Sequence, residues 1–129
     1  MEFNNPKLKE TPNPKKQNNR SIGSKYEGLA AEYLEKLGMT IVERNYRTRY
    51  GEIDIIARDK TFLVFVEVKY RKNADNGYAL ESIDRKKQSQ IKKMALQYIN
   101  SDKVSGYVPM RFDCVGITGD EFRYVKNAF

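Results

Sequence analysis

The sequence feature that most constrains the fold is the stretch from Glu52 to Lys69, EIDIIARDKTFLVFVEVK, in which two apolar segments flank a short polar turn. The segment FLVFV is apolar at every position, which is typical of a central strand that is covered on both faces. We expect the two segments to pair as a hairpin whose turn is centred between Lys60 and Thr61, which either a two-residue or a four-residue loop gives. The chain must therefore build a central sheet and cover it with helices.

The remaining patterns predict the order helix, three strands, helix, two strands. The first helix begins with SKYE, where Ser24 as N-cap and Glu27 three residues later form a capping box. The segment RKNADNGYAL has turn composition and predicts a loop. The predicted elements are a helix from Ser24 to Leu37, a strand from Met39 to about Tyr46, the strands YGEIDIIA and FLVFVEVKY, a helix from about Ser82 to Asn100, and the strands MRFDCVGI and EFRYVKN.

The connections between these elements predict a mixed sheet. The strand ending at Tyr70 and the strand starting near Met110 are joined by a helix, so we expect them to be parallel, with a right-handed crossover. The earlier strands are joined by short turns and should be antiparallel. A chain of 129 residues is long enough for one domain. We assign that domain to residues 21–129, and residues 1–20, which are rich in Asn, Pro and Lys, to a disordered basic arm.

The composition narrows the classes of function that the chain can have. A net charge of +7 and a pI of about 9.4 indicate an anionic partner such as nucleic acid, although a basic surface that serves only solubility is the alternative. The absence of histidine excludes imidazole-based catalytic triads and histidine-bound metals. One cysteine excludes an internal disulfide and a cysteine-rich zinc site, which fits a reducing cytoplasm. We expect no membrane span and no cleaved signal peptide.

Charged residues at the ends of the two apolar strands predict a site. In the expected register Asp54 faces Glu67 and Glu52 faces Lys69, with all four side chains on one face. Two carboxylates about 4 Å apart repel by roughly 4 kcal/mol at an effective dielectric of 20. Mg²⁺ or Mn²⁺ would relieve this repulsion, and a lysine beside such a metal indicates phosphodiester hydrolysis. The alternative is an ordinary ion pair on an exposed sheet face.

Several motifs together resemble a known family. They are YEGLAAEYLEKLG, ERNYR, GEID, FVEVKYR, the lysine of KQSQI, RFD and the closing KNAF. In this order they resemble the YraN-like family of uncharacterised bacterial proteins, a family of the PD-(D/E)XK nuclease superfamily, with archaeal Holliday junction resolvases and restriction endonucleases. The resemblance covers about Ser21 to Phe129. It implies an α/β fold with a restriction-endonuclease-like mixed sheet flanked by helices, and a single nuclease-like domain.

The resemblance also implies roles for individual residues. Asp54 and Glu67 would bind the metal, with the carbonyl of Val68 as a further ligand, and Lys69 would be the catalytic lysine. Glu27 matches the glutamate of the first helix that completes such sites, although the capping box explains it equally well.

Other positions also match the family, and some of them have a structural alternative. Lys87 would support the site or touch phosphate, or else be a solvated helix charge, and Arg71 would contact phosphate. Arg111 and Asp113 match the family but are as easily explained as structural ion pairs, and Glu52 would hold Lys69 in place. One departure is Tyr26, where the family commonly has glycine.

These observations lead to three functional hypotheses. The first is a Mg²⁺- or Mn²⁺-dependent nuclease acting on DNA, including branched or structured DNA, and resolvases of the superfamily indicate a homodimer by analogy. The second is a non-catalytic nucleic-acid-binding module, and the third is an assembly protein whose tyrosines mark a protein interface. The residues expected to bind backbone phosphates are Arg71, Lys72, Arg85, Lys86 and Lys87.

Overall fold

The computed structural model describes residues 14–75 and 83–129, with side chains from residue 21 onward. The elements, in chain order, are helix α1 (Pro14–Lys36), strands β1 (Thr40–Thr48), β2 (Gly51–Asp59) and β3 (Phe62–Arg71), helix α2 (Arg85–Ile99), and strands β4 (Met110–Thr118) and β5 (Glu121–Val125). This order is the predicted one. The first part of the predicted arm and the end of the predicted loop, residues 1–13 and 76–80, lie outside the described residues.

The five strands form one mixed sheet in the order β1-β2-β3-β4-β5. Strands β3 and β4 are parallel, and the other neighbouring pairs are antiparallel, as predicted. In the central hairpin Ile55 pairs with Val66 and Asp59 with Phe62, which places the turn between Lys60 and Thr61. The sequence therefore predicted both the α/β class and the register of the hairpin from Ile55 to Val66, whereas the predicted pairs Asp54–Glu67 and Glu52–Lys69 are not among the described ones.

Each face of the sheet is covered by one helix. Ala30 and Leu34 of α1 pack on the face that carries Ile55, Val64 and Val66. Ile91, Met94 and Tyr98 of α2 pack on the other face, against Ile56 and Phe65. The run from Leu63 to Val66 is at most 1% exposed, which confirms that β3 is covered on both sides.

The start of α1 differs from the prediction. The helix begins at Pro14, a residue that the first turn tolerates because no helical partner is needed for its missing N–H. Ser24 and Glu27 therefore lie inside the helix, and the capping-box interpretation is wrong. Residues 14–20, assigned to the arm from sequence, have helical backbone.

The start of α2 is also shifted. Asp84 is the N-cap, and its carboxylate accepts a hydrogen bond from the backbone N–H of Lys87 at 2.8 Å. The residue predicted to begin this helix, Ser82, lies outside the described residues. Neither described helix combines the length and apolarity that a bilayer crossing requires.

Arg111 and Asp113 form a structural network. Asp113 is fully buried and accepts hydrogen bonds from the Arg111 guanidinium at 2.8 to 3.2 Å and from the backbone N–H of Asn127 at 2.9 Å. The hydroxyl of Tyr124 donates to the same carboxylate. Arg111 also contacts Asp59 of β2 at 2.9 Å. Of the two interpretations of this pair, the structure favours the ion pair that ties the strands together.

Candidate functional site

The site is centred on Asp54, at the point where the β2–β3 ladder ends. The described backbone pairing stops at Ile55 and Val66, and one position further the Asp54 carboxylate accepts a hydrogen bond from the Val68 N–H at 2.8 Å. Since the N–H and C=O of one extended residue point to the same side of a strand, the Val68 carbonyl faces the Asp54 side as well. Burial raises the pKa of Asp54, although the Val68 hydrogen bond opposes the shift.

Glu67 is the most buried carboxylate of the site. It is 3% exposed, and it contacts the carboxyl group of Asp54. Its Oε1 is buried without a hydrogen-bond partner among the described residues, while its Oε2 lies 3.7 Å from the ammonium groups of both Lys69 and Lys87. Burial, and then the neighbouring Asp54, raise the pKa of Glu67 to about 7. In the metal-free protein this carboxyl group therefore keeps its proton below about pH 7.

Lys87 takes part in the site. It reaches Glu67 from the first turn of α2, on the face of the sheet opposite α1. The interpretation of Lys87 as a solvated helix charge is thus not supported.

Glu27 enters the site from α1. One oxygen each of Glu27, Glu52 and Asp54 lie within 4.8 Å of one another, a spacing that a metal ion can span. Burial, followed by the charges of Asp54 and Glu52, raises the pKa of Glu27 to about 7. Glu27 is not part of a capping box. Of the two interpretations of this residue, its position beside Asp54 therefore favours the site carboxylate.

Asn45 is a site residue that the sequence did not reveal. Its amide lies between two carboxylates, and the orientation that satisfies both donates to Glu27 at 2.7 Å and to Glu52 at 2.5 Å. Asn45 has a φ of 55°, which asparagine tolerates better than most residues. The asparagine within the ERNYR strand was the available signal, since asparagine is depleted in strands.

Glu52 has a different partner from the predicted one. Its Oε1 lies 3.7 Å from Nε of Arg47, which is its register partner on β1, whereas the nearest described partner of Lys69 is Glu67. The prediction that Glu52 holds Lys69 is therefore wrong. The hairpin register is correct, but Glu52 lies beyond the end of the described β2–β3 pairing and turns toward α1.

The remaining basic residues that were predicted to bind phosphate differ in how exposed their side chains are. Lys72, Arg85 and Lys86 are exposed, and their contact with phosphate stays a prediction. Arg71 is partly buried, and its Nε has no hydrogen-bond partner among the described residues.

Tyr26, the departure from the family pattern, stacks on Tyr70 of β3 with ring centroids 3.8 Å apart. The stack lies next to the site in sequence on both elements, since Tyr26 precedes Glu27 and Tyr70 follows Lys69.

A cavity of about 470 Å³ opens beside the acidic cluster. It is lined by Gly23, Ser24, Glu27, Asn45, Arg47 and Glu52.

Comparison with known proteins gives one family. The sequence profile described as "Uncharacterised protein family UPF0102" matches residues 26–117. A UPF0102 protein of Fusobacterium nucleatum is 46% identical over 110 residues, covering 85% of this chain and 92% of the relative. A UPF0102 protein of Lachnoclostridium phytofermentans is 45% identical over 113 residues, covering 84% and 96%. One from Vibrio cholerae is 40% identical over 114 residues, covering 86% and 93%.

Proposed function

Because the chain belongs to the uncharacterised protein family UPF0102, whose name assigns no activity, we propose from the site itself that it is a divalent-metal-dependent nuclease that hydrolyses phosphodiester bonds in DNA. This is the YraN-like family indicated by the motifs, and its place in the nuclease superfamily is part of the proposal. The observation that carries the proposal is the position of Asp54, which lies within 4.8 Å of Glu27 and Glu52 on one side and beside Glu67 on the other, with Lys69 next to Glu67.

The donor set fits Mg²⁺ or Mn²⁺. These ions prefer oxygen ligands, and the cluster supplies carboxylates together with the Val68 carbonyl on the same side. The buried Oε1 of Glu67 has no described partner, and leaving such an acceptor unpaired costs about 1 to 3 kcal/mol. The raised pKa values of Glu27 and Glu67 have the same origin, since crowded buried carboxylates resist ionisation. Asp54, Glu67 and Val68 would hold the ion, with Glu27 on its α1 side.

The chemistry divides between the ion and the protein. The bound metal supplies a Lewis acid for the scissile phosphate and lowers the pKa of bound water. In hydrolysis, a water oxygen forms a bond to phosphorus, the ester P–O bond breaks, and the leaving oxygen takes up a proton. Lys69 is placed to orient the attacking water or to donate to a phosphate oxygen. Lys87 provides a second positive charge for the phosphate that is bound in the site.

The proposed substrate is DNA, including branched or structured DNA. The net charge of +7 favours a polyanion, and Lys72, Arg85 and Lys86 are exposed cations near the sequence positions of the site lysines. A cytoplasmic location and a homodimer, which would let two sites act on two strands, belong to the same proposal. The tyrosines give little support to the assembly hypothesis, because among those described only Tyr107 is mostly exposed.

The test is cleavage of labelled single-stranded, duplex, flapped and four-way-junction DNA in Mg²⁺ or Mn²⁺. We expect the wild type to cleave at least one substrate and Glu67→Gln to cleave none. Glu32→Gln, the same substitution at an exposed position of α1, is the matched control and should cleave normally. Absence of cleavage by the wild type, with tight and salt-sensitive binding, would reject the nuclease and favour the non-catalytic binding module.

A second readout does not depend on activity. Mn²⁺ should raise the melting temperature of the wild type by several degrees, since a ligand at about 100 times its Kd adds about 2.7 kcal/mol. Asp54→Asn should abolish this shift, and Glu32→Gln should preserve it. An equal shift in Asp54→Asn would place metal binding elsewhere.

A further inference from the structure

A second group of cations lies at the turn between β1 and β2, and it includes residues of the turn and one of α2. The segment Arg47 to Glu52, RTRYGE, connects the two strands. The turn is well defined, because the Thr48 hydroxyl accepts a hydrogen bond from the Tyr50 N–H at 3.0 Å. Gly51 has a φ of 135°, and a Cβ built there would lie 3.7 Å from the terminal methyl of Met94, so the turn lies against α2.

The ring of Tyr50 holds two cations on this turn. The guanidinium of Arg49 lies 5.2 Å from the ring centroid and donates a hydrogen bond to the Tyr50 hydroxyl at 3.2 Å. The ammonium of Lys93, from α2, lies 5.7 Å from the same centroid. Cation–π contacts of this kind contribute about 0.5 to 1 kcal/mol at exposed positions. They therefore favour conformations in which both cations stay beside the ring.

Neither of these two cations has an acidic partner in the part of the chain whose side chains are described. Within residues 21–75 and 83–129, no carboxylate forms an ion pair with Arg49 or Lys93, and both side chains are exposed. Two like charges at one ring repel each other, and an anion bound between them would reverse that effect. The arrangement therefore favours an external anionic group.

The group is continuous with the proposed catalytic site through Arg47. This side chain is 76% exposed, and it lies 3.7 Å from Glu52, which belongs to the acidic cluster with Glu27 and Asp54. Arg47 also lines the cavity of about 470 Å³ beside that cluster. Arg47, two residues before Arg49, therefore connects this turn to the acidic cluster.

We propose that Arg47, Arg49 and Lys93, which we call the turn band, bind the phosphate backbone of DNA that flanks the scissile bond. The inference rests on the proposed function for its substrate, and it extends the interface to the opposite side from the sequence-predicted cations Arg71 and Lys72, which follow the site lysine on β3. The partly buried ring of Tyr50 lies beside two cations, and aromatic rings next to backbone-binding cations are typical of surfaces that bind a nucleic-acid strand. The occupant is DNA rather than an acidic protein, because the band leads into a site built for a phosphodiester.

The first experiment measures binding of a labelled duplex in EDTA over a range of KCl concentrations. Each phosphate contact contributes about 0.9 to the slope of log K against log salt, so Arg49→Gln/Lys93→Gln should reduce that slope by about 1.8. Lys36→Gln/Arg58→Gln removes the same charge at exposed positions near the other end of the β1–β2 pairing, where Thr40 pairs with Arg58. This control should keep the wild-type slope. Equal losses in both variants would show binding to net charge alone and would overturn the proposal.

The second experiment localises the DNA. The lone cysteine, Cys114, is 1% exposed, so a cysteine introduced at the surface can be labelled selectively with a photo-crosslinker. Crosslinking to duplex DNA is expected from Lys93→Cys and not from Lys36→Cys. Crosslinking of an acidic peptide with equal yield, or equal DNA yields at both positions, would contradict the turn band as a DNA surface.

The two proposals can fail separately. If the wild type cleaves no DNA but the slope and crosslinks depend on the turn band, the nuclease proposal fails and the turn band stands. If the wild type cleaves and Arg49→Gln/Lys93→Gln binds and cleaves as the wild type does, the turn band fails and the nuclease proposal stands. Melting temperatures of both double variants within about 2 °C of wild type establish that the comparison is between folded proteins.

Discussion

Lys87 Nζ lies 3.7 Å from Glu67 Oε2, a contact that joins the first turn of α2 to the end of β3. The two elements are separated in sequence by residues 72–84, and the contact joins the α2 layer to the sheet. Positive charge in the first turn of a helix is unfavourable in the helix macrodipole. Its position beside a buried carboxylate therefore indicates a role at the site rather than in the helix.

Lys87→Met should reduce cleavage by about 100-fold, which is the usual loss when one preorganised donor to a developing charge is removed. Lys86→Met, on the neighbouring exposed residue, should have a much smaller effect. The measurement is the single-turnover rate at saturating enzyme, so that weaker binding does not contribute. Equal losses in the two variants would show that Lys87 acts only through surface charge.

Glu67→Gln should stabilise the metal-free protein at high pH. The folded-state pKa of about 7 lies above the ordinary value of 4.5, so the folded state holds its proton more tightly than the unfolded state. The resulting stability is present below about pH 4.5 and is lost as the pH rises to about 7. The variant keeps a neutral group throughout, so its advantage in free energy of unfolding should grow to at most about 3 kcal/mol above pH 7.

Urea unfolding in EDTA at pH 5 and pH 8 measures this difference. Glu32→Gln, at an exposed position, should match the wild type at both values. A Glu67→Gln protein that is destabilised equally at pH 5 and pH 8 would show that the carboxylate is well accommodated without metal.

Asp113→Ala should destabilise the protein by about 3 kcal/mol, because it leaves the Arg111 guanidinium without its closest partner and removes an acceptor used by Tyr124 and Asn127. Glu121→Ala breaks an ion pair with Arg123 on the exposed edge strand β5 and should cost less than about 1 kcal/mol. Equilibrium urea unfolding provides both values. A cost for Asp113→Ala no larger than that for Glu121→Ala would contradict the structural role of the network.

Cys114 should be unreactive in the folded protein. Burial raises the pKa of its thiol to about 12, and the charge of Glu67 adds to the shift, so little thiolate exists at neutral pH. A chromogenic disulfide reagent should therefore react only after urea is added. Lys36→Cys supplies an exposed thiol that should react at once. Rapid reaction of the wild type at neutral pH would indicate that the sheet opens around β4.

The sequence predicted the sheet because its turns and connections depend on local patterns. A turn centred between Lys60 and Thr61 fixes every pair in the hairpin, and a helical connection requires β3 and β4 to be parallel. The start of α1 was not predictable in this way, since residues 14–20 contain no apolar side chain whose spacing could indicate a helix.

The residues around the centre of the site could not be predicted from the sequence, because their positions depend on contacts between different helices and strands. Asn45 reaches Glu27 and Glu52 from a backbone conformation that the sequence does not specify. Glu52 forms its ion pair with Arg47, its partner in the β1–β2 pairing, and not with a residue of the β2–β3 hairpin.

The prediction that Glu52, Asp54, Glu67 and Lys69 share one face is wrong, because Glu52 lies with Glu27 of α1 whereas Glu67 contacts Lys87 of α2. The period-two alternation of β2 breaks at Asp54, since Ile53 and Ile55 pack on opposite faces of the sheet.

The most direct test of the central claim is the cleavage of labelled DNA by the wild type and by Asp54→Asn, with Mg²⁺ or Mn²⁺ and with EDTA. Asp54 lies at the centre of the acidic cluster, in contact with Val68 and Glu67 and beside Glu27. The account predicts cleavage by the wild type that requires the metal, and none by the folded variant. Cleavage by Asp54→Asn at the wild-type rate, or wild-type cleavage that persists in EDTA, would contradict it.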